Sequence, residues 1–232
     1  MRKKLILFDL DCTLLWSDGA GRAAIHQAFI DELGTLAPLE DYSFAGKTDS
    51  AIARELLRAA NHPEAENDEY VMRVCDRYVE LLEGELKSPD RNVRVLVGVH
   101  ELLEKLRGRK DAVLGLLTGN VEGGAILKLK SAGIDTGQFK VAAYGSDAFA
   151  RDALPPIAVS RAAAVMGCVP RGEDVVIIGD TPADMTCGKG IGARAIGVAT
   201  GPFAVADLEA AGGFAVFEDL SMTDMVMTAI FA

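Results

Sequence analysis

The sequence is poor in basic residues and lacks long apolar runs. Its 24 lysines and arginines stand against 34 aspartates and glutamates, which gives a formal net charge of -10 at pH 7. Binding to a nucleic acid depends on dense positive charge that neutralises phosphates, so we expect no nucleic-acid partner. Since no apolar run approaches the roughly 20 residues of a membrane-spanning helix, we expect no membrane partner either.

Cysteine is also scarce, and its spacing is uninformative for metal binding. The four cysteines are Cys12, Cys75, Cys168 and Cys187. They form no CxxC pair and no cluster with histidine, which argues against a structural zinc site. Isolated thiols are typical of a reducing compartment, so we predict unpaired cysteines and a cytoplasmic location.

Apolar residues are abundant, at half of the 232 residues, and they recur in short runs. Most of these runs are followed by a polar turn and then by helical periodicity, the alternation of a parallel α/β sheet. The runs are continuous rather than alternating, as expected for strands that helices cover on both faces. They occupy residues 5–8, 112–117, 140–144, 175–178 and 195–198, and a weaker run at 215–217 is a candidate edge strand.

A stretch of different character separates the first two predicted strands. From about residue 17 to residue 88 the apolar residues follow helical spacing instead of forming strand-like runs. Three segments show it clearly, AIHQAFIDELG, SAIARELLRAA and YVMRVCDRYVELLEGEL. We therefore predict a helical cap over residues 17–88, inserted into an α/β core made of residues 1–16 and 89–232.

Polar residues suited to chemistry follow four of the predicted strands. Ligands of an open parallel sheet bind beyond the carboxyl ends of its strands, so we expect these side chains to meet in one crevice. They lie in the stretches FDLDCT, LLTGN, YGSDAFARD and IIGDTPAD. In chain order the residues are Asp9, Asp11, Thr13, Thr118, Gly119, Asn120, Arg151, Asp180 and Asp184.

Two aspartates separated by a single residue can enter one pocket with different roles. One can bind a metal ion and attack an electrophilic phosphorus, while the other moves a proton. Mg²⁺ commonly takes one or two carboxylates together with substrate oxygens and water, and Asp9 and Asp180 would supply those carboxylates. Thr118 would hydrogen-bond a phosphoryl oxygen, and a lysine or arginine would neutralise the transferred group.

These stretches resemble the motifs of the haloacid dehalogenase superfamily, and within it the chain looks phosphoglycolate phosphatase-like. The first motif, DxDx(T/V), is matched by Asp9, Asp11 and Thr13; the threonine or serine of the second is matched by Thr118. The fourth motif, GDxxxD, is matched by GDTPAD. The resemblance covers the whole chain, since an inserted helical cap is also a family arrangement. It implies a Rossmann-like sheet with the strand order 3-2-1-4-5.

The resemblance also implies an aspartyl-phosphate mechanism. Asp9 would be the nucleophile, and Asp11 would act first as general acid and then as general base. Asp180 would hold Mg²⁺ together with the backbone carbonyl of Asp11.

Two positions depart from the family pattern. The third motif is usually a lysine in a KPxP context, which this chain lacks. Arg151, in ARDALPPIAV, lies in the corresponding place and is preferred over Arg161, which lies inside the following predicted helix. Cys12 occupies a position where relatives often have glycine.

The predicted cap contributes two cationic candidates for substrate binding. Lys47 stands just before a predicted helix start at Thr48 or Asp49, and helix N-termini attract anions. Arg22 follows a glycine-containing turn, DGAG, that has the character of a hinge. Closure of the cap would exclude water and bring both cations towards a substrate. In phosphoglycolate phosphatase-like relatives, cap residues of this kind help to choose the leaving group.

The predicted function is that of a Mg²⁺-dependent phosphatase acting on a small phosphorylated metabolite, phosphoglycolate-like or a sugar phosphate, as a monomer or homodimer. Three alternatives stay open. A phosphomutase would use the same core but return the phosphoryl group to a bound sugar. A haloacid dehalogenase needs no Mg²⁺ and is disfavoured by the phosphatase-type aspartate Asp11. A metabolite-binding protein on a retired phosphatase core would bind without turnover.

Overall fold

The core of the protein is a parallel sheet, seen in a computed structural model that describes residues 3–34 and 42–232. In chain order the strands within those ranges are β1 (Lys4–Phe8), β2 (Leu15–Trp16), β3 (Arg94–Val95), β4 (Ala112–Leu117), β5 (Val141–Ala143), β6 (Val175–Gly179), β7 (Arg194–Val198) and β8 (Ala215–Phe217). The large sheet runs β5-β4-β1-β6-β7-β8, and every neighbouring pair is parallel. Numbered within that sheet alone, the order is 3-2-1-4-5-6. The predicted order is therefore confirmed, with residues 215–217 as the additional edge strand.

Helices cover both faces of this sheet. In chain order the α-helices of the described residues are α1 (Ala20–Leu33), α2 (Asp49–Ala59), α3 (Asp68–Lys87), α4 (Val99–Arg107), α5 (Glu122–Ser131), α6 (Leu154–Met166), α7 (Pro182–Cys187), α8 (Val205–Ala210) and α9 (Thr223–Phe231). None of them has both the length and the apolar character that crossing a membrane requires.

The central strand β1 explains why the apolar runs are continuous. Its residues 5–8 are completely buried because they pack alternately on the two faces of the sheet. Ile6 shares an apolar cluster with Leu102 of α4, whereas Leu7 shares another with Ala158 of α6. A strand covered on both faces has no polar side, which is the pattern that the sequence shows.

Three helices, α1 to α3, lie between β1 and β4, where the sequence predicts helical segments. Thr48 is the N-cap of α2, since its side chain accepts a hydrogen bond of 3.1 Å from the Ala51 amide. The division into a cap over 17–88 and a core of 1–16 and 89–232 stays a proposal, and we call residues 17–88 the proposed cap. Residues 1–2 of the predicted core and 35–41 of the proposed cap lie outside the described residues.

The start of α2 is hydrogen-bonded to loops that follow β4 and β5. The Asp49 amide donates to the Gly119 carbonyl at 2.7 Å. The hydroxyl groups of Thr48 and Ser50 donate to the carbonyls of Phe149 and Gly145, each also at 2.7 Å. These bonds connect the proposed cap to the sheet next to the carboxyl ends of two strands.

Two local features differ from the sequence-based expectation. The predicted strand 140–144 is shorter, because the Tyr144 amide donates to the Asp147 side chain at 2.9 Å instead of continuing the ladder. The antiparallel ribbon of β2 and β3 was not predicted, since each of its strands has only two residues and shows no periodicity. This ribbon pairs Leu15 with Val95, at the two points where the chain passes between the core and the proposed cap.

Candidate active site

A cavity of about 700 Å³ lies between the carboxyl ends of the central strands and the proposed cap. Nine of the residues that the sequence singles out contribute to its wall, whereas Thr13 and Asp184 do not line it. The nine residues are Asp9, Asp11, Arg22, Lys47, Thr118, Gly119, Asn120, Arg151 and Asp180. Thr200 and Gly201 line it as well. The fold therefore brings the predicted residues together, while their roles remain proposals.

The turn after β1 presents two aspartates to the cavity. It begins at Asp9, whose amide donates to the Ile178 carbonyl of β6 at 2.9 Å. The turn is tight because the Leu14 amide bonds back to the Leu10 carbonyl at 2.9 Å. Cys12 has a φ of 59°, in the left-handed region, which explains why glycine suits this position. Burial is the largest of the effects that raise the pKa of the Cys12 thiol to about 12, and the charges of the surrounding carboxylates add to it. This thiol therefore stays protonated.

Asp9 lies beside a buried arginine. The Arg151 Nη2 atom is 3.0 Å from Asp9 Oδ1, and both side chains are almost fully buried. The same guanidinium also bonds Asp184, whose other oxygen accepts from the Thr181 hydroxyl at 2.7 Å. Burial raises the pKa of Asp9 and outweighs the lowering effect of Arg151. Arg151 thus contacts Asp9, whereas Arg161 pairs with Asp147 at the surface, and the third-motif role of Arg151 stays a prediction.

Three carboxylates, Asp9, Asp180 and Asp184, form the acidic cluster. Each offers an oxygen atom that lies within 4.8 Å of those of the other two, and all three residues are buried. Burial raises the pKa of Asp180, and the charges of Asp9 and Asp184 raise it further. Thr13 donates a hydrogen bond of 3.3 Å to Asp180 Oδ1. Buried negative charge of this density, offered by oxygen atoms alone, fits a hard divalent cation such as Mg²⁺.

Asp11 has a different environment from Asp9, although one residue separates them. Its carboxylate accepts hydrogen bonds from Lys128 at 2.6 Å, from Asn120 Nδ2 at 2.8 Å and from the Ser17 hydroxyl at 3.2 Å. Burial alone would raise the pKa of Asp11, but Lys128 and these hydrogen bonds outweigh it and hold the pKa below its usual value. The two aspartates of one turn are thus shifted in opposite directions.

Thr118 follows β4 directly, and it is fully buried in the wall of the cavity. Its Oγ1 atom accepts from the Asn120 amide at 3.2 Å and from Asn120 Nδ2 at 2.8 Å. Both of these bonds use lone pairs of the Thr118 oxygen. Among the described residues no acceptor takes the hydroxyl proton of Thr118, so this proton is left to donate. A phosphoryl oxygen in the cavity is the kind of acceptor that would complete this group.

Gly119 is a point of close approach between the core and the proposed cap. A Cβ atom there would lie 2.0 Å from the Lys47 carbonyl oxygen. We expect Gly119→Ala to lower the free energy of unfolding by about 1–3 kcal/mol, because rigid backbone would have to move apart. Thermal and urea denaturation would measure this loss.

The matched control for that substitution is Gly84→Ala in α3. No atom lies within 4 Å of a Cβ built at Gly84. Alanine should stabilise the helix there by roughly 0.5–1 kcal/mol. Equal effects of the two substitutions would contradict the close approach at Gly119.

The two cations of the proposed cap are held against aromatic rings. Lys47 Nζ lies 4.3 Å from the centroid of the Tyr42 ring and 2.6 Å from the Glu55 carboxylate. The Arg22 guanidinium lies 5.0 Å from the centroid of the Phe44 ring. This wall of the cavity therefore combines positive charge with apolar surface, which suits an organic leaving group.

Three further residues of the cavity wall were not predicted to have a role there. Lys128 is only 4% exposed, and Asp49 and Tyr78 also line the cavity. The sequence suggests Asp49 only as a helix cap, whereas its side chain accepts a bond of 2.9 Å from the Val121 amide, and burial raises its pKa to about 6. The sequence does contain a sign that Lys128 is buried, because helical spacing places it on the same face of α5 as the small residue Gly124, four positions earlier.

A family comparison and solved structures support the same reading of the fold. The model of a family described as haloacid dehalogenase-like hydrolase matches residues 6–198. No curated protein sequence matches the chain.

Solved structures resemble the protein over nearly its whole length. A hydrolase from Pseudomonas syringae is 23% identical with a TM-score of 0.69, and the alignment covers 98% of this chain and 99% of that one. A predicted phosphoglycolate phosphatase from Haemophilus somnus is 18% identical with a TM-score of 0.71, over 98% and 99% of the two chains. A beta-phosphoglucomutase from Clostridium difficile is 17% identical with a TM-score of 0.73, over 100% and 98%. At these identities the likeness establishes the shared fold.

The family model extends over most of the chain and includes the first, second and fourth motifs, with Asp9, Thr118 and Asp180. The chain therefore belongs, as its motifs predict, to the haloacid dehalogenase-like hydrolase family.

Proposed function

We propose that this protein is a Mg²⁺-dependent phosphatase that hydrolyses a small phosphate monoester through an aspartyl-phosphate intermediate. The observation that carries the proposal is the division between the two aspartates of the β1 turn. Asp9 lies in the acidic cluster beside Arg151, where a nucleophile would meet an anionic phosphoryl group. Asp11 is held outside that cluster by Lys128 and Asn120, where it can serve proton transfer.

In the first step an oxygen of Asp9 attacks phosphorus while the bond between phosphorus and the leaving oxygen breaks. The Arg151 guanidinium neutralises the charge on the phosphoryl oxygens, and the Thr118 hydroxyl donates a hydrogen bond to one of them. Asp11 donates its proton to the leaving oxygen, which departs as an alcohol. Asp11 is ionised in the free protein, but an anionic phosphate nearby raises the pKa of a carboxyl group and so favours the protonated form.

In the second step water attacks the phosphorus of the aspartyl phosphate. Asp11, now a carboxylate, removes a proton from that water, and the bond between phosphorus and the Asp9 oxygen breaks. Inorganic phosphate leaves and Asp9 returns to its carboxylate form. Lys128 favours the ionised form of Asp11 that this step needs.

The residues that would hold Mg²⁺ are Asp9 and Asp180 through their side chains and Asp11 through its backbone carbonyl. A bound Mg²⁺ would offset the charge of the transferred group and of the carboxylates around it. Asp184 belongs to the acidic cluster, but Arg151 and Thr181 occupy its oxygens. We therefore assign Asp184 to the positioning of Arg151.

Chelation should stop hydrolysis, and added Mg²⁺ should restore it. The same ion should also raise the melting temperature, by more at pH 8 than at pH 5. The pKa values of Asp9 and Asp180 are raised in the folded state, so their ionisation destabilises the metal-free fold as the pH rises from the unfolded-state pKa through the folded-state pKa. A cation that binds the ionised cluster offsets this loss of stability. Its stabilising effect is therefore larger at pH 8, where more of the cluster is ionised, than at pH 5.

Calorimetry or thermal denaturation with and without Mg²⁺ would measure this effect, with hydrolysis followed in parallel. Asp180→Asn is the informative variant, since it should reduce the stabilisation by Mg²⁺ and raise the metal-free melting temperature. Full hydrolysis in excess chelator would rule out the metal requirement.

The substrate is proposed only as a class, a small phosphorylated metabolite such as phosphoglycolate or a sugar phosphate. The volume of about 700 Å³ and the Tyr42 and Phe44 rings leave room for an organic group larger than a two-carbon acid. The structural relatives include a predicted phosphoglycolate phosphatase and a beta-phosphoglucomutase, and these are the two activities to compare. We also propose a cytoplasmic location, supported by the four free cysteines, and a monomer or homodimer.

The deciding experiment is a screen of phosphoglycolate, sugar phosphates and nucleotides with Mg²⁺. A phosphatase releases inorganic phosphate from at least one of these compounds in proportion to substrate consumed. A phosphomutase would instead return the phosphoryl group to a sugar, with label retained in the sugar phosphate pool. Absence of Mg²⁺-dependent phosphate release across the screen would contradict the proposed function.

A further inference from the structure

Lys128 is a buried cation to which the motif resemblance gives no role. It lies on α5, and its side chain is 5% exposed. Its Nζ atom is 2.6 Å from Asp11 Oδ2 and 2.6 Å from Asn120 Oδ1. A buried ammonium group is destabilising unless strong acceptors surround it, so the two contacts define where this group must stay.

The contacts at Asp11 distinguish its two oxygens. Oδ2 accepts from both Lys128 and Asn120, at 2.6 and 2.8 Å. Oδ1 accepts from Ser17 at 3.2 Å, the longest of the three bonds. A carboxylate has about four acceptor sites, so among the described side chains Oδ1 has the greater spare capacity. Because Lys128 and Asn120 hold Oδ2, Oδ1 is the oxygen of Asp11 that can contact a leaving group or water.

Lys128 also fixes the orientation of the Asn120 amide. Because Asn120 Oδ1 accepts from the ammonium, Nδ2 faces the other way and donates to Asp11 and to Thr118 Oγ1. The bond to Thr118 fills a lone pair on that hydroxyl and leaves its proton to donate. One ammonium group therefore orients the proposed proton-transfer residue and the proposed phosphate-binding hydroxyl together.

We propose that Lys128 is a positioning residue that holds the Asp11 carboxylate and the Asn120 amide in the orientation needed for proton transfer to the leaving group. This inference rests on the proposed function, because it assigns Lys128 to a step of that reaction. It differs from a role in substrate binding, in which the ammonium would contact the phosphate ester itself. It also differs from a purely structural role, in which the effect of Lys128 would not depend on Asp11.

The test is Lys128→Met, which keeps the length of the side chain and removes its charge and its N–H groups. The ratio kcat/KM reports the steps up to phosphoenzyme formation, where the leaving group departs. For an alkyl phosphate we expect kcat/KM to fall by about 10- to 100-fold, the scale of a misplaced catalytic group. For p-nitrophenyl phosphate, whose leaving group needs no proton, the fall should be less than about fivefold. Inhibition by inorganic phosphate should change by less than about threefold, since the phosphate ligands remain.

The matched control is Lys130→Met, on the exposed side of the same helix, which should leave both ratios unchanged. A double-mutant cycle provides the second readout. In an Asp11→Asn background, Lys128→Met should change kcat/KM for the alkyl phosphate by less than about twofold, because the carboxylate that Lys128 positions is gone. Should Lys128→Met fail to unfold cooperatively, Lys128→Gln, which keeps a donor without the charge, is measured in the same cycle.

The outcomes separate this inference from the function on which it rests. Equal losses with both substrates, a tenfold weaker inhibition by phosphate, or a full additional loss in the Asp11→Asn background would overturn the positioning role. Wild-type protein without Mg²⁺-dependent hydrolysis of either ester would overturn the proposed function and this inference with it. A leaving-group-dependent loss that disappears in the Asp11→Asn background would support both.

Discussion

Asp9→Asn should fold normally and lose turnover by at least about 10⁴-fold, because an amide cannot form the phosphoenzyme. The variant should also be at least as stable as the wild type when metal is absent. Asp9 is buried within the acidic cluster, and its raised pKa means that its charge destabilises the metal-free fold. Removing that charge relieves the repulsion from Asp180, while Arg151 keeps Asp184 as a partner. Loss of activity together with equal or higher melting temperature is the expected signature.

Steady-state hydrolysis and thermal denaturation in chelator would measure the two effects. The matched control is Asp90→Asn, an exposed aspartate far along the chain, which should change neither. Acid quench after mixing with substrate should trap a covalent phosphate on the wild type and none on Asp9→Asn. Near-normal turnover of the variant would remove Asp9 as the nucleophile.

Asp11→Asn should be affected differently, because it keeps the nucleophile and the backbone carbonyl while losing the group that moves protons. General acid–base assistance is typically worth about 10²–10⁴-fold in rate, and we expect a loss of that size for an alkyl phosphate. For p-nitrophenyl phosphate the first step should lose less, since p-nitrophenolate leaves without a proton. Attack by water on the phosphoenzyme should be slow with both substrates.

Slow breakdown after a fast first step should give a burst of p-nitrophenolate, equivalent to one enzyme turnover. Rapid mixing would detect the burst, and acid quench would show the accumulated phosphoenzyme. The Asp9→Asn protein serves as the control and should show no burst. Equal losses with both leaving groups and no burst would leave Asp11 as a structural or metal-positioning carboxylate.

The main features of the fold were predictable because they depend on local patterns. The strand Ala112–Leu117 was predicted with its observed bounds, since a continuous apolar run ends where polar Thr118 begins. The gathering of Asp9, Thr118 and Asp180 follows from the rule that parallel strands present their carboxyl ends at one edge of the sheet. The strand order follows from the resemblance and is confirmed by the pairing of β1 with β4 and β6.

The electrostatics of the site could not be predicted in the same way. Lys128 is 117 positions from Asp11 in sequence, and no local pattern states that α5 carries it to the β1 turn. The opposite pKa shifts of Asp9 and Asp11 depend on this contact and on the burial of the acidic cluster. A motif identifies which residues can react, whereas the three-dimensional contacts determine the charge that each one carries.

The hydrogen bonds at the start of α2 have a consequence for engineering by domain exchange. Thr48, Asp49 and Ser50 bond to core carbonyls of three residues, Phe149, Gly119 and Gly145. Two of these bonds come from hydroxyl side chains, so a chimera that takes residues 17–88 from a relative must bring hydroxyl donors at both positions or leave core carbonyls without partners. A graft that begins after residue 50 keeps all three bonds native. Such a chimera would exchange α3 and most of α2, including Ile52 and Tyr78 of the cavity wall, while Lys47 retains its original register to the sheet.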